Sequence, residues 1–209
     1  MKNHQVGRLG SYTAGIATLS FALSMLIPDK AISGPLSYGT SLFIAIGYLC
    51  MSCGVAATSG QDRKGCAYAS IAFAAVYAAL ISLVYYTQLT TVWQKAAPNE
   101  LLDALTYRPG SWIFNLDMLG YSMLSLSTVF AGLSITAKTK GERWLRSLLL
   151  IHGVFAVACL LFPMLGIFSQ GSGAAGSDVF GVIVLEFWCV YFLPVTVLFD
   201  GYMKRQGLE

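Results

Sequence analysis

Apolar residues in this chain come in long unbroken runs. Six are visible, at approximately 9–27, 36–59, 66–93, 112–137, 147–168 and 179–203, each about 19–28 residues long. A helix needs about 20 predominantly apolar residues to cross the hydrocarbon core of a bilayer. None of the runs alternates with period 2, as the roughly ten-residue strands of a membrane barrel would. The pattern therefore predicts an all-α fold: one transmembrane domain over 1–209, a polytopic bundle of six helices joined by polar connectors. The first run follows Lys2 and Arg8, and Ala31 and Ser33 form a small-x-small pair after it. It nevertheless exceeds the ~7–15 residues of a signal-peptide core, so it is expected to be a membrane helix.

Basic residues orient the bundle. Lys2, Arg8, Arg63, Lys64, Lys138, Lys140, Arg143, Arg146, Lys204 and Arg205 fall on one side of the predicted spans, and Lys30, Lys95 and Arg108 on the other. Lysine and arginine accumulate in cytoplasmic loops, so both termini are expected in the cytoplasm. Trp93 and Trp112 then mark the outer interface, and Trp144 and Tyr202 the inner one. The third connector, 94–111, is the longest; Asn99 is placed to cap a short helix over 100–105 whose Leu101, Leu102 and Leu105 give it an apolar face. That helix is expected to lie along the outer interface, with folding over the bundle mouth as the alternative.

Within the third run, Ser70, Ala74, Ala78 and Ser82 recur every four residues, widened by Ala75 and Ala79. Small residues at this spacing let helices approach closely in lipid, so the helix is expected to be central, with a homodimer face as the alternative. Pro163 is expected to kink the fifth helix.

Polar residues inside the runs are the candidate chemistry. A carboxylate at the centre of a bilayer costs at least ~2.5 kcal/mol and normally faces a protein interior or a watery cavity. Asp117 and Asn115 lie early in the fourth run, and Asp117, Tyr121, Ser125, Thr128 and Gly132 stay on roughly one face. Glu186 lies early in the sixth run. At 1.5 Å per residue, Asp117 is roughly 5–8 Å and Glu186 roughly 10 Å below the outer boundary. Tyr85 and Gln88, at the end of the third run, share one helix face at similar depth. These residues, with Tyr121, are the expected ligand-binding set of one outward-facing pocket. If the two acids converge, they would hold a proton, a metal cation or an amine. His152 and Asp200 would form a proton path towards the cytoplasm, although Asp200 is also placed to pair with Lys204 at i+4.

Composition agrees with lipid as the main partner. The chain of 209 residues is 56% hydrophobic and 11% charged, with net charge +3, against about 25% charged in soluble domains. No basic segment is interleaved with aromatic residues, which excludes a nucleic-acid partner. Cys50 and Cys53 form a C-x-x-C, but inside an apolar helix they read as small packing residues, because redox reactivity needs an accessible, electropositive setting. With two histidines and no second Cys/His pair at ligand spacing, neither a metal nor a resident cofactor is expected. The Gly/Ser-rich fifth connector lacks the G-x-S-G order of a rhomboid serine, and no histidine follows it.

Four segments carry a resemblance: Tyr85-Tyr86-Thr87-Gln88-Leu89-Thr90, Tyr107-Arg108-Pro109-Gly110-Ser111, Asp117-Met118-Leu119-Gly120-Tyr121 and Glu142-Arg143-Trp144. Together they resemble a group of uncharacterised six-helix bacterial integral membrane proteins. The resemblance implies the helix count and a bacterial cytoplasmic membrane, and implies no activity. Three functions fit the residues. The first is a transporter or binder of a small solute or cation, with proton coupling through the acids. The second is a non-catalytic sensor or scaffold subunit of a membrane complex. The third is a membrane-embedded enzyme using Asp117 and Glu186 as acid and base on a lipid.

Overall fold

The computed structural model describes residues 2–168 and 176–208, without the side chains of 176–180. The described residues contain helices and no strand. The helices are α1 (Asn3–Met25), α2 (Lys30–Thr58), α3 (Lys64–Thr87), α4 (Asn99–Leu105), α5 (Trp112–Ser134), α6 (Lys140–Ile151), α7 (Val154–Met164) and α8 (Gly176–Gln206). A short 3₁₀ turn, Gln61–Arg63, leads into α3, and a π-helical turn, Gln88–Val92, extends it. Five stretches are long and apolar enough to cross a membrane: Lys30–Thr58, Gln61–Val92, Trp112–Ser134, Lys140–Met164 and Gly181–Gln206. The first predicted span corresponds to α1, which has 23 residues but is not among the five; Asn3, His4, Gln5, Arg8 and five serines and threonines dilute its apolar character. The fifth connector, from Ser169 to Asp178, lies largely outside the described residues.

Neighbouring helices follow a closed cycle. α1 packs on α2 and α8, α2 on α3, α3 on α5, α5 on both α6 and α7, and α6 on α8. The tightest seam is α1 against α2, and glycine makes it possible. A Cβ on Gly47 would lie 2.5 Å from the Ala14 amide nitrogen, one on Gly10 would lie 2.6 Å from the Gly47 carbonyl oxygen, and one on Gly54 2.6 Å from the Gly7 Cα. Backbone meets backbone there, which is how helices gain packing energy where lipid removes the hydrophobic drive to associate. The Ser70–Ala74–Ala78–Ser82 stripe does not form such a seam along its whole length. The buried face of α3 is Ala67, Ser70, Ala74, Tyr77, Ile81 and Val84, alternating three and four residues apart. The four-residue stripe drifts off this face, so Ser82, Ala75 and Ala79 are exposed.

Serine and threonine hydroxyls answer the polarity of the spans locally. Thr18 donates to Ala14 O at 2.7 Å, Ser41 to Ser37 O at 2.8 Å, Ser125 to Tyr121 O at 2.9 Å and Thr128 to Ser125 O at 2.8 Å. A hydroxyl bonded to its own helix needs no water. Others join helices: Tyr48 donates to Ser127 Oγ at 2.9 Å, Ser127 to Ser70 O at 2.7 Å and Ser122 to Ala156 O at 3.1 Å.

The fifth predicted span is interrupted at His152–Gly153. There the backbone tightens to i→i−3 bonds, with Gly153 N–H on Leu150 O at 3.1 Å and Ala156 N–H on Gly153 O at 3.0 Å. Gly153 is required because a Cβ would lie 2.4 Å from Val129 Cγ2. Pro163 sits one residue before the end of α7, so the break within this span is glycine's and lies ten residues earlier. Tyr202, expected at the inner interface, is 3% exposed and packs edge-on to Phe199; Trp93, Trp112 and Trp144 are exposed.

Candidate functional site

Asp117 is 2% exposed and faces the bundle interior. Its Oδ2 accepts the Tyr107 hydroxyl at 2.8 Å, while its Oδ1 has no hydrogen-bond partner. Tyr107 comes from the third connector, and the way that connector is held explains how it reaches a membrane helix. The π turn widens the end of α3: Trp93 N–H bonds Gln88 O at 3.0 Å and Ala96 N–H bonds Thr91 O at 2.9 Å, both five residues back. Gln88, 4% exposed, donates from Nε2 to Leu105 O at 2.8 Å and accepts Tyr107 N–H on Oε1 at 3.0 Å. It clamps the end of α4 to α3. Tyr107 then turns inward, and Gly110, at φ 77°, takes the left-handed turn that a side chain would disfavour before Ser111 caps α5 through Phe114 N–H at 3.2 Å. Arg108 closes the outside of the loop on Asp103 at 2.8 Å. The connector helix therefore packs on the π turn and on α5, and the residue preceding α4, Pro98, takes the cap position expected for Asn99.

Aromatic rings surround the acid. Tyr38 stacks on Tyr85 at 5.4 Å, and Tyr107 meets Tyr38 at 6.1 Å, Tyr85 at 6.2 Å and Phe114 at 5.7 Å. Below it, contacts run Tyr121–Tyr77–Tyr48–Phe192–Trp188 and back to Tyr121, with centroids 4.9–6.1 Å apart. Burial raises the Tyr107 phenol well above its ordinary value, and the Asp117 carboxyl beside it raises it further. Tyr107 is thus a committed donor to the acid.

Beside this cluster a cleft of about 360 Å³ opens at the end of the bundle that holds the start of α2 and the π turn. Lys30, Pro35 and Tyr38 of α2 line one part, and Gln88, Trp93 and Lys95 another. Lys95 is held at φ 51°, a conformation that costs a non-glycine residue on the order of 1–2 kcal/mol. Tyr38 lines the cleft and packs on the Tyr85 and Tyr107 rings beside Asp117, and Gln88 lines it while holding the Tyr107 backbone, so the two form its floor.

The structure brings Asp117, Tyr85 and Tyr121 together, with Gln88 one layer above. It does not bring in the other expected residues. Asn115 is exposed, two positions and so about 200° around the helix from Asp117. Glu186 is half-buried on α8 with an unpartnered Oε1, and no described contact joins it to Asp117. Among the described residues no contact links His152 to Asp200. His152 Nε2 accepts the Trp188 indole N–H at 3.0 Å, and Nδ1 lies 3.0 Å from Thr128 Oγ1. Because Thr128 already donates to Ser125 O, Nδ1–H is the donor and the ring is neutral. Asp200 pairs with Lys204 at 2.7 Å, as the i+4 spacing suggests, and with Arg8 at 2.8 Å. Tyr107 and Tyr38 are the site residues that helix periodicity misses, since one lies in a connector and the other early in a helix. The cue for Tyr107 is an aromatic residue two positions before Pro-Gly, beside a span carrying an unpaired acid.

Glu142 is a separate buried acid, 2% exposed. It accepts Lys138 and Thr139 N–H at 2.6 and 2.8 Å and Arg205 Nε at 2.8 Å. Fully satisfied, it ties the start of α6 to the end of α8. The described residues contain no group of three His, Cys, Asp or Glu side chains that would hold a metal ion. Comparison with protein-family models, curated proteins and solved structures gives no match.

Proposed function

We propose that this is a six-span integral protein of a bacterial cytoplasmic membrane that binds a small solute in the cleft on its outer face and passes it inward with a proton held at Asp117. Both termini lie on the cytoplasmic side, α1 counting as the first span. The side-chain contacts of the basic residues support this orientation. Arg63 donates to Leu133 and Ile135 carbonyls at the end of α5, Lys64 to Ala56 O at the end of α2, and the Arg8–Asp200–Lys204 and Glu142–Arg205 pairs lie at that same end. Cations on exposed helix C-terminal carbonyls are favoured by the helix dipole.

The observation that carries the solute reading is the open Oδ1 of Asp117 beneath a cleft. A buried acceptor without a donor normally costs about 1–3 kcal/mol, and such groups are kept where a proton or ligand uses them. The paired-carboxylate enzyme has less support, because general acid and base must reach one substrate atom and no described contact joins Asp117 to Glu186. The ring of five aromatic residues below Asp117 favours a second reading, a sensor that binds the solute without passing it.

The test uses full-length protein in uncharged micelles and a panel of small anionic, neutral and cationic solutes, scored by thermal stabilisation between acid and alkaline pH. At least one solute should stabilise the protein with a pH dependence that Asp117→Asn removes. A panel with no stabilisation, or an unchanged pH profile in Asp117→Asn, rejects the proposal. Uptake of the hit into proteoliposomes separates transporter from sensor.

A further inference from the structure

The charge of the cleft, more than its size, points to what occupies it. Lys30 begins α2 and Lys95 follows the π turn, so two segments far apart in sequence place two ammonium groups in one cleft. Among the described residues no carboxylate lines it. Of the acids nearest in sequence, Asp29 accepts Ala31 N–H at 2.9 Å, and neither Asp29 nor Glu100 is among the residues lining the cleft. Among the described residues neither lysine makes an ion pair. Gln88 is polar, yet both ends of its amide are bonded to backbone. The remaining walls are Gly34, Pro35, Tyr38, Val92, Trp93 and Thr106; the Thr106 hydroxyl is bonded to Leu102 O at 2.7 Å, and the rest is largely apolar or aromatic surface of the kind found at membrane interfaces.

Resting on the reading of this cleft as the solute site, we propose that it takes an anionic headgroup, a phosphate monoester or carboxylate, with an apolar arm laid against Trp93 and Tyr38. The lysines bind the anion as two point charges on flexible stems, and a cation meets only repulsion on entering. The same chemistry is offered by a lipid of the outer leaflet and by a soluble amphiphilic acid, and the experiment separates them.

Full-length protein in uncharged micelles is titrated with mono-octyl phosphate, inorganic phosphate and octylammonium, reading the emission of Trp93 as the difference between wild type and Trp93→Phe. Mono-octyl phosphate should saturate the signal. Lys30→Ala/Lys95→Ala should weaken it at least about tenfold, the loss expected for one charged hydrogen bond, while Lys30→Arg/Lys95→Arg retains binding of the same order. Dependence on the octyl chain assigns the site to a lipid-like amphiphile, and equal binding of inorganic phosphate to a free anion; both support the anion assignment. Octylammonium binding as tightly as the phosphate, or undiminished phosphate binding in the folded double-alanine variant, overturns it while leaving the solute site standing. Silence with every probe overturns both.

Discussion

Replacing Tyr107 by phenylalanine removes one oxygen and leaves the ring among Tyr38, Tyr85 and Phe114. The lost contact is the 2.8 Å bond to Asp117 Oδ2, after which neither carboxyl oxygen has a donor, since Oδ1 has none already. Its size depends on the charge of the acid. Hydrogen bonds between uncharged partners in membrane proteins are worth about 0.6 kcal/mol on average, whereas one to an ionised group is worth about 1.5–3 kcal/mol. A double-mutant cycle of Tyr107→Phe with Asp117→Leu isolates the coupling. Unfolding free energies are measured by denaturant titration in micelles, at several pH values. The sign is fixed: the bond strengthens as Asp117 gives up its proton, so coupling should rise from about 0.6 kcal/mol at low pH to above about 1.5 kcal/mol at high pH. Coupling near zero at every pH would refute the latch between connector and acid.

The remaining predictions concern packing and buried polar groups. Gly47→Leu should destabilise the protein by several kcal/mol or prevent folding, because its Cβ would lie 2.5 Å from the Ala14 amide nitrogen; Gly39→Ala in the same helix, with nothing within 4 Å, should gain about 0.5–1 kcal/mol, and equal stability of the two variants would reject the α1–α2 seam. His152→Ala should cost about 1–3 kcal/mol by leaving the Trp188 indole N–H without its acceptor, and should shift tryptophan emission relative to the wild type. Glu142→Ala should cost about 1–3 kcal/mol through the two orphaned backbone N–H groups and Arg205, read as a lower midpoint in the same titration.

Much of the architecture was legible because lipid imposes a single coarse demand. A helix must satisfy its own backbone and show apolar residues for about 20 positions, so α2, α3, α5, the α6–α7 pair and α8 announce themselves by run length. Even details followed where one residue's local chemistry decides: the Asp200–Lys204 pair is fixed by helix spacing, and the exposed Trp93, Trp112 and Trp144 by their positions at the ends of runs. The break at Gly153 was not legible, since the contact that requires glycine there is with Val129 on another helix.

The site divides in the same way. The sequence by itself marked Asp117 as an acid at a depth where it needs company, and placed Tyr85 and Gln88 near its level. Only the tertiary structure decided the company. Helix rotation turned Asn115 outward and kept Glu186 on α8 apart from Asp117. A π turn and a glutamine clamp carried Tyr107 from a connector into the bundle, and folding left Lys30 and Lys95 facing one cleft. Run length is a property of consecutive residues and survives in the sequence; rotation about a helix axis and the approach of distant segments are set by packing between helices, and no local pattern encodes them.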